Sequence, residues 1–173
     1  MANAERKSAP GWAERVERLA RLVPGLGPYQ DREGLREADK RIRTYLAESL
    51  AGLARDLEPA QRALSEAGQV DRLPAVDRVG RLLRTAADRV RYASYGFAGV
   101  FDLHKIRERE LATLHDFDAR LMEALPELGE RVRAVTAASE RIEWFDQAAR
   151  AADSALREFE RTLDERDRLA RGL

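Results

Sequence analysis

Along residues 71–125 apolar side chains return every three or four positions, the period of one face of an α-helix. The row runs Val76, Val79, Leu83, Ala86, Val90, Ala93, Phe97, Val100, His104, Arg107, Leu111, Leu114, Asp118, Leu121 and Leu125. Twelve of the fifteen are apolar, and the register holds through the glycines of YGFAGV. A turn at 94–102 is the alternative, but a turn has no reason to keep that register. The pattern therefore predicts one helix over 71–125 with Gly96 and Gly99 inside it. Each glycine costs ~1 kcal/mol against alanine in a helix, which close approach of a neighbour would offset. Leu82, Ala87, Phe101, Leu103, Phe117 and Met122 widen the stripe, as burial against two neighbours requires.

The flanking segments are also helical in pattern. Trp12, Val16, Leu19 and Val23 share one face of a short helix over 11–23. VPGLGP breaks it. A second long helix follows from about Pro28 to Ala67 on Leu35, Ala38, Ile42, Leu46, Leu50, Leu53, Leu57 and Leu64, kinked at Pro59 and closed by Gly68. Pro126 restarts the chain. From Val135 two heptad rows run to the end: Val135, Ile142, Ala149, Leu156, Leu163, Ala170, and Ala138, Phe145, Ala152, Phe159, Arg166, Leu173. Eleven of the twelve are apolar, a sustained coiled-coil signal.

Three long helices joined by short turns at 68–70 and 125–126 fold antiparallel. The expected fold is all-α: an elongated antiparallel three-helix coiled-coil bundle with a short N-terminal fourth helix. Residues 1–10 read as a disordered tail and 11–171 as a single domain. The basic residues of 78–91 would face the acidic residues Asp153, Glu158, Glu160, Asp164 and Glu165 of the last helix.

Composition agrees and narrows the function. Charged residues make up 36% and aromatics 6% of the 173 residues, the profile of long helices. The formal net charge is zero, so nothing electrostatic points to nucleic acid. Without cysteine there is no disulfide or thiolate metal site. Lysine supplies three of the 31 basic residues, a bias towards arginine that fits a GC-rich bacterial coding sequence. The start, MANAERKSAP, lacks the apolar core of a signal peptide, and no run reaches the ~18 apolar residues of a membrane span. A cytoplasmic location is expected.

No catalytic motif is present. His104 and His115 lack the Glu-x-x-His spacing of di-iron bundles, and there is no nucleophile elbow, zinc motif or phosphate loop. No enzyme activity, catalytic residue, metal or cofactor is expected. Two features remain. A polar layer of Arg36, Asp39, His104, Arg107 and Asp146 would interrupt the core, either fixing helix register or sensing a small ligand or pH. An apolar strip at the tip of the 112–139 hairpin would offer Phe117, Leu121, Met122, Leu128 and Val132 to a partner. The helix 11–23, with Arg15, Arg18 and Arg21 opposite its apolar face, either packs on the bundle, covering Trp144, or lies on a membrane surface.

The runs GPYQDREGLREADKRIR and RYASYGFAGVFDLHK resemble an uncharacterised family of bacterial helical coiled-coil proteins, a resemblance that implies no activity, cofactor or residue role. In shape the expected bundle is similar to spectrin-type three-helix coiled coils. The function these readings converge on is a non-enzymatic interaction or scaffold module, binding another protein or itself as a possible homodimer. Membrane-surface association and a small-molecule or pH sensor are the alternatives.

Overall fold

The computed structural model describes residues 12–25, 32–93, 106–139 and 141–172. All the regular structure among them is helical: α1 (Trp12–Leu22), α2 (Arg32–Arg55), α3 (Glu58–Glu66), a 3-10 turn (Val70–Arg72), α4 (Leu73–Tyr92), α5 (Ile106–Ala138) and α6 (Ile142–Gly172).

The apolar row of the second helix faces inward as its period demands. Ala38, Ile42, Leu46, Leu50, Leu57 and Leu64 are all buried. The chain breaks at Asp56–Leu57 and restarts with Pro59 in the first turn of α3. Proline has no N–H to donate and disfavours helix in the residue before it, so the first turn is where it fits. Gly68 then closes α3 at φ +68°. Gln69 N donates to Leu64 O at 2.8 Å and Gly68 N to Ser65 O at 3.1 Å, satisfying carbonyls the helix end would leave bare.

Cross-links fix the relative directions. Gln61 pairs with Asp77, and Arg43 Nη1 reaches Ala93 O, so α2–α3 and α4 are antiparallel. Arg78 pairs with Asp153 and Arg89 with Asp164, both 75 residues apart, so α4 and α6 run parallel. Thr136 Oγ1 donates to Asp56 O, and Gly129 lies against Leu53. That sets α5 parallel to α2. The molecule is thus two antiparallel hairpins laid side by side, with four legs around a common core. The basic run of α4 does face acidic residues of α6, but in parallel rather than in the expected antiparallel sense.

Two expected helix boundaries change. The helix over 71–125 is interrupted: α4 ends at Tyr92, and Ala93 leaves helical geometry at φ −53°, ψ 114°. Residues 94–105, with Gly96 and Gly99, lie outside the described residues. There is also no turn at 125–126. Pro126 sits inside α5, exposed, with Leu121 and Met122 before it and Leu128 and Val132 after it all buried. Core burial on both sides holds the helix together through the bond that proline cannot make. The chain reverses instead at 139–141, where Ser139 N bonds Val135 O and Arg141 N bonds Ala138 O.

That shift changes the meaning of the hairpin tip. Leu121, Met122, Leu128 and Val132 are not an exposed strip but core, because α5 is flanked by α2 and α6 along this length and α1 lies over its outside. Arg18 Nε donates to Glu123 Oε1 at 2.6 Å, and Leu19 and Val23 join the common core. Trp144 is left uncovered, at 59% exposure. It sits beside the 139–141 turn, whereas α1 meets α5 at Glu123, about half of that helix away.

Candidate functional site

Asp118 interrupts the apolar 3-4 row in the middle of α5, and Arg166 interrupts the heptad row of α6. These two meet. Arg166 Nε donates to Asp118 Oδ1 at 2.6 Å, and its Nη2 lies 3.5 Å from Asp39 Oδ1 on α2. Arg43, one turn on from Asp39, donates through Nε to Asp39 Oδ2 at 2.8 Å and through Nη1 to Ala93 O at 3.1 Å. A cation at that place also complements the negative end of α4. His115 is buried one turn before Asp118 on α5. All four legs of the bundle therefore converge on one ionic cluster. Asp39, His115, Asp118 and Arg166 are between 3% and 7% exposed.

Two carboxylates face two guanidiniums, so the cluster balances with His115 neutral. Burial, and then the neighbouring Asp118, raise the Asp39 carboxyl above its usual range, against the pull of Arg43 and Arg166. Burial lowers the His115 imidazole, opposed by Asp118 and Asp39. Burial alone would weaken Arg166 as a base, but Asp118 and Asp39 outweigh it and hold the guanidinium charged. The adjoining cavity, bounded by Ile42, Leu46, Val90, Leu163 and the two arginines, is only about 10 Å³, room for one water. An organic ligand does not fit there. The cluster joins both hairpins through buried charged contacts.

Among the described residues this layer overlaps the expected one at Asp39. Asp39 and Arg43, one turn apart on α2, form an ion pair that is buried. Asp146 belongs elsewhere: it is exposed near Arg72, 4.0 Å away, at the far end of α6. Arg36 and Arg107 fall on α2 and α5 with their side chains outside the described residues, and His104 lies outside them altogether. Asp118, His115 and Arg166 were missed, although Asp118 and Arg166 were the conspicuous interruptions of their rows. Among the described residues no group of His, Asp and Glu side chains is arranged to hold a metal ion.

The open surface lies elsewhere. A groove of about 380 Å³ runs between the outer sides of α5 and α6, floored by Ala124, Leu128, Ala151 and Ala155 and edged by Arg120, Glu127, Arg131, Ser154, Glu158 and Thr162. Trp144 continues the same side of α6, at the turn end of the groove. At the other end Arg120 lies over the Phe117 ring, 5.3 Å from its centroid, so Phe117 is half-covered rather than free. The groove between α4 and α6, about 310 Å³, differs: Arg78 and Arg157 both pair with Asp153 there and fill it with charge. No protein-family model, curated protein or solved structure matches the chain.

Proposed function

We propose that the protein is a non-enzymatic helical interaction module that docks another helical surface on its α5–α6 face. The α5–α6 groove carries this reading. Its alanine floor lets another helix approach closely, its α5 rim alternates arginine with glutamate, and a tryptophan stands exposed at one end. Aromatic and arginine side chains of that kind anchor protein interfaces. The buried ionic cluster serves this role by holding the two hairpins in one register, which keeps the face in a fixed shape. No described helix is long and apolar enough to cross a membrane, and a cytoplasmic setting is part of the proposal. The test is the double variant Trp144→Ala with Ser154→Glu. Both side chains are exposed, so helicity and melting should hold while association, with itself or with a co-purifying protein, is lost. Undiminished association would place the interface on another face.

A further inference from the structure

The centre of the α5–α6 face is self-complementary: Glu127 and Arg131 flank it on α5 and Ala151 and Ala155 on α6. The 139–141 turn and the Asp118–Arg166 pair together set Ala151 level with Arg131, and Ala155 level with Glu127. The midpoint between those two levels is also the middle of the whole surface. Arg120 and Trp144 lie nine positions from it along their own helices, about 13 Å away in opposite directions. We infer that the occupant of this face is a second copy of the chain, docked antiparallel about a two-fold axis that passes between Glu127 and Arg131 and between Ala151 and Ala155. The inference rests on the α5–α6 face being the docking surface proposed above.

Rotation about that axis brings like helix to like helix with unlike groups opposed. Glu127 meets Arg131 of the second copy, and Arg131 meets its Glu127. Within one chain these two are already an exposed pair, Arg131 Nη2 to Glu127 Oε1 at 3.2 Å, so the dimer closes a ring of four alternating charges. Ala151 meets Ala155 of the second copy, small against small, which allows the helices to approach. Trp144 reaches the level of Thr162 and Arg120 of the second copy. There the guanidinium that lies over Phe117 can take a second aromatic face. A displacement by one helical turn sets Glu127 against Glu127, or Arg131 against Arg131, so the charges select this register.

The face is about 27 Å long and about 20 Å wide over two helices. Two copies would bury roughly 1,000 Å², the lower bound for a specific interface. The dimer therefore belongs at the micromolar end of affinity.

Sedimentation equilibrium of the full chain from about 1 to about 500 μM brackets that range. A monomer–dimer equilibrium is expected. Arg131→Glu should raise the dissociation constant at least about tenfold, because it sets like charges on both sides of the axis. Glu127→Arg combined with Arg131→Glu reverses every pair and should restore the dimer. Circular dichroism should be the same in all three, since both positions are exposed. In a Trp12→Phe background, Trp144 emission should shift to the blue as the dimer forms. A wild type that stays monomeric throughout overturns the inference, as does a dimer indifferent to Arg131→Glu or a double variant no better than the single one. A monomer that binds a different protein, and loses it with Ser154→Glu, overturns the dimer and leaves the interaction-module reading standing.

Discussion

Arg166 and Asp118 form a charged hydrogen bond of 2.6 Å between α6 and α5 with both side chains almost sealed from water. Removing one partner of such a pair strands the other. Arg166→Met leaves Asp118 without its donor and Asp39 with Arg43 alone, and should cost about 3–5 kcal/mol in urea unfolding. Replacing the pair together, Arg166→Met with Asp118→Leu, leaves Asp39 balanced by Arg43 and should recover much of that loss, because apolar side chains need no compensation for desolvation. A double variant as unstable as the single one would show that the pair does more than balance its own charge.

The same cluster makes stability depend on pH in two opposite senses. His115 has a folded pKa lowered by burial, so the unfolded chain binds its proton more readily. Stability from neutral His115 is complete above the unfolded value of ~6.5 and falls as pH drops from there towards the lowered folded value. Asp39 has a raised folded pKa. Its protonation favours the folded chain between the usual carboxylate range and that raised value, and the benefit is lost as pH climbs through it. Melting temperatures from about pH 8 to about pH 5 should fall more steeply for wild type than for His115→Gln. Parallel curves would mean that His115 is not held neutral by the fold.

The sequence's legibility divides along physical lines. Burial of Ile42, Leu50, Val79, Leu83, Leu156 and Leu163 was readable because apolar period and heptad spacing report one helix face directly. Where the helices end was not. A period that carries through 94–102 is compatible with a continuous helix, and nothing local marks Tyr92 as the last helical residue of α4. Pro126 misled in the other direction, since a proline signals a break unless buried neighbours on both sides hold the helix, and that is tertiary information. These two boundaries moved the layer map, so Asp146 was assigned to a cluster that lies at the other end of the bundle. Asp118 and Arg166 were visible as exceptions, but pairing them required the 139–141 turn.

Two glycines give a matched pair of stability tests. Gly129 is a buried helix-interior residue. The nearest atoms a Cβ there would meet are side-chain atoms of Arg133 and Leu53, at 3.5 Å. Gly129→Ala should therefore stabilise by up to about 1 kcal/mol, the difference in helix propensity. Gly68 stands at φ +68° with nothing within 4 Å of a Cβ. Gly68→Ala meets backbone strain alone and should destabilise by about 1 kcal/mol. Thermal melts of the two variants should move in opposite directions. If Gly129→Ala destabilises, the approach of α2 to α5 is tighter than this packing.

The last prediction concerns α1, which could serve either the bundle or a membrane surface. Its inward residues are already used: Leu19 and Val23 are sealed in the core, and Arg18 is paired to Glu123. Deleting residues 1–23 should then cost at least about 3 kcal/mol, the burial of two apolar side chains. The emission maximum of Trp144 should match that of full-length Trp12→Phe, since Trp144 is exposed whether or not α1 is present. The intact protein should stay in the supernatant when anionic vesicles are sedimented, because binding through α1 would first have to strip Leu19 and Val23 from the core. Pelleting with the vesicles, abolished by Leu19→Glu, would show that α1 detaches and that the bundle is its resting place rather than its only one.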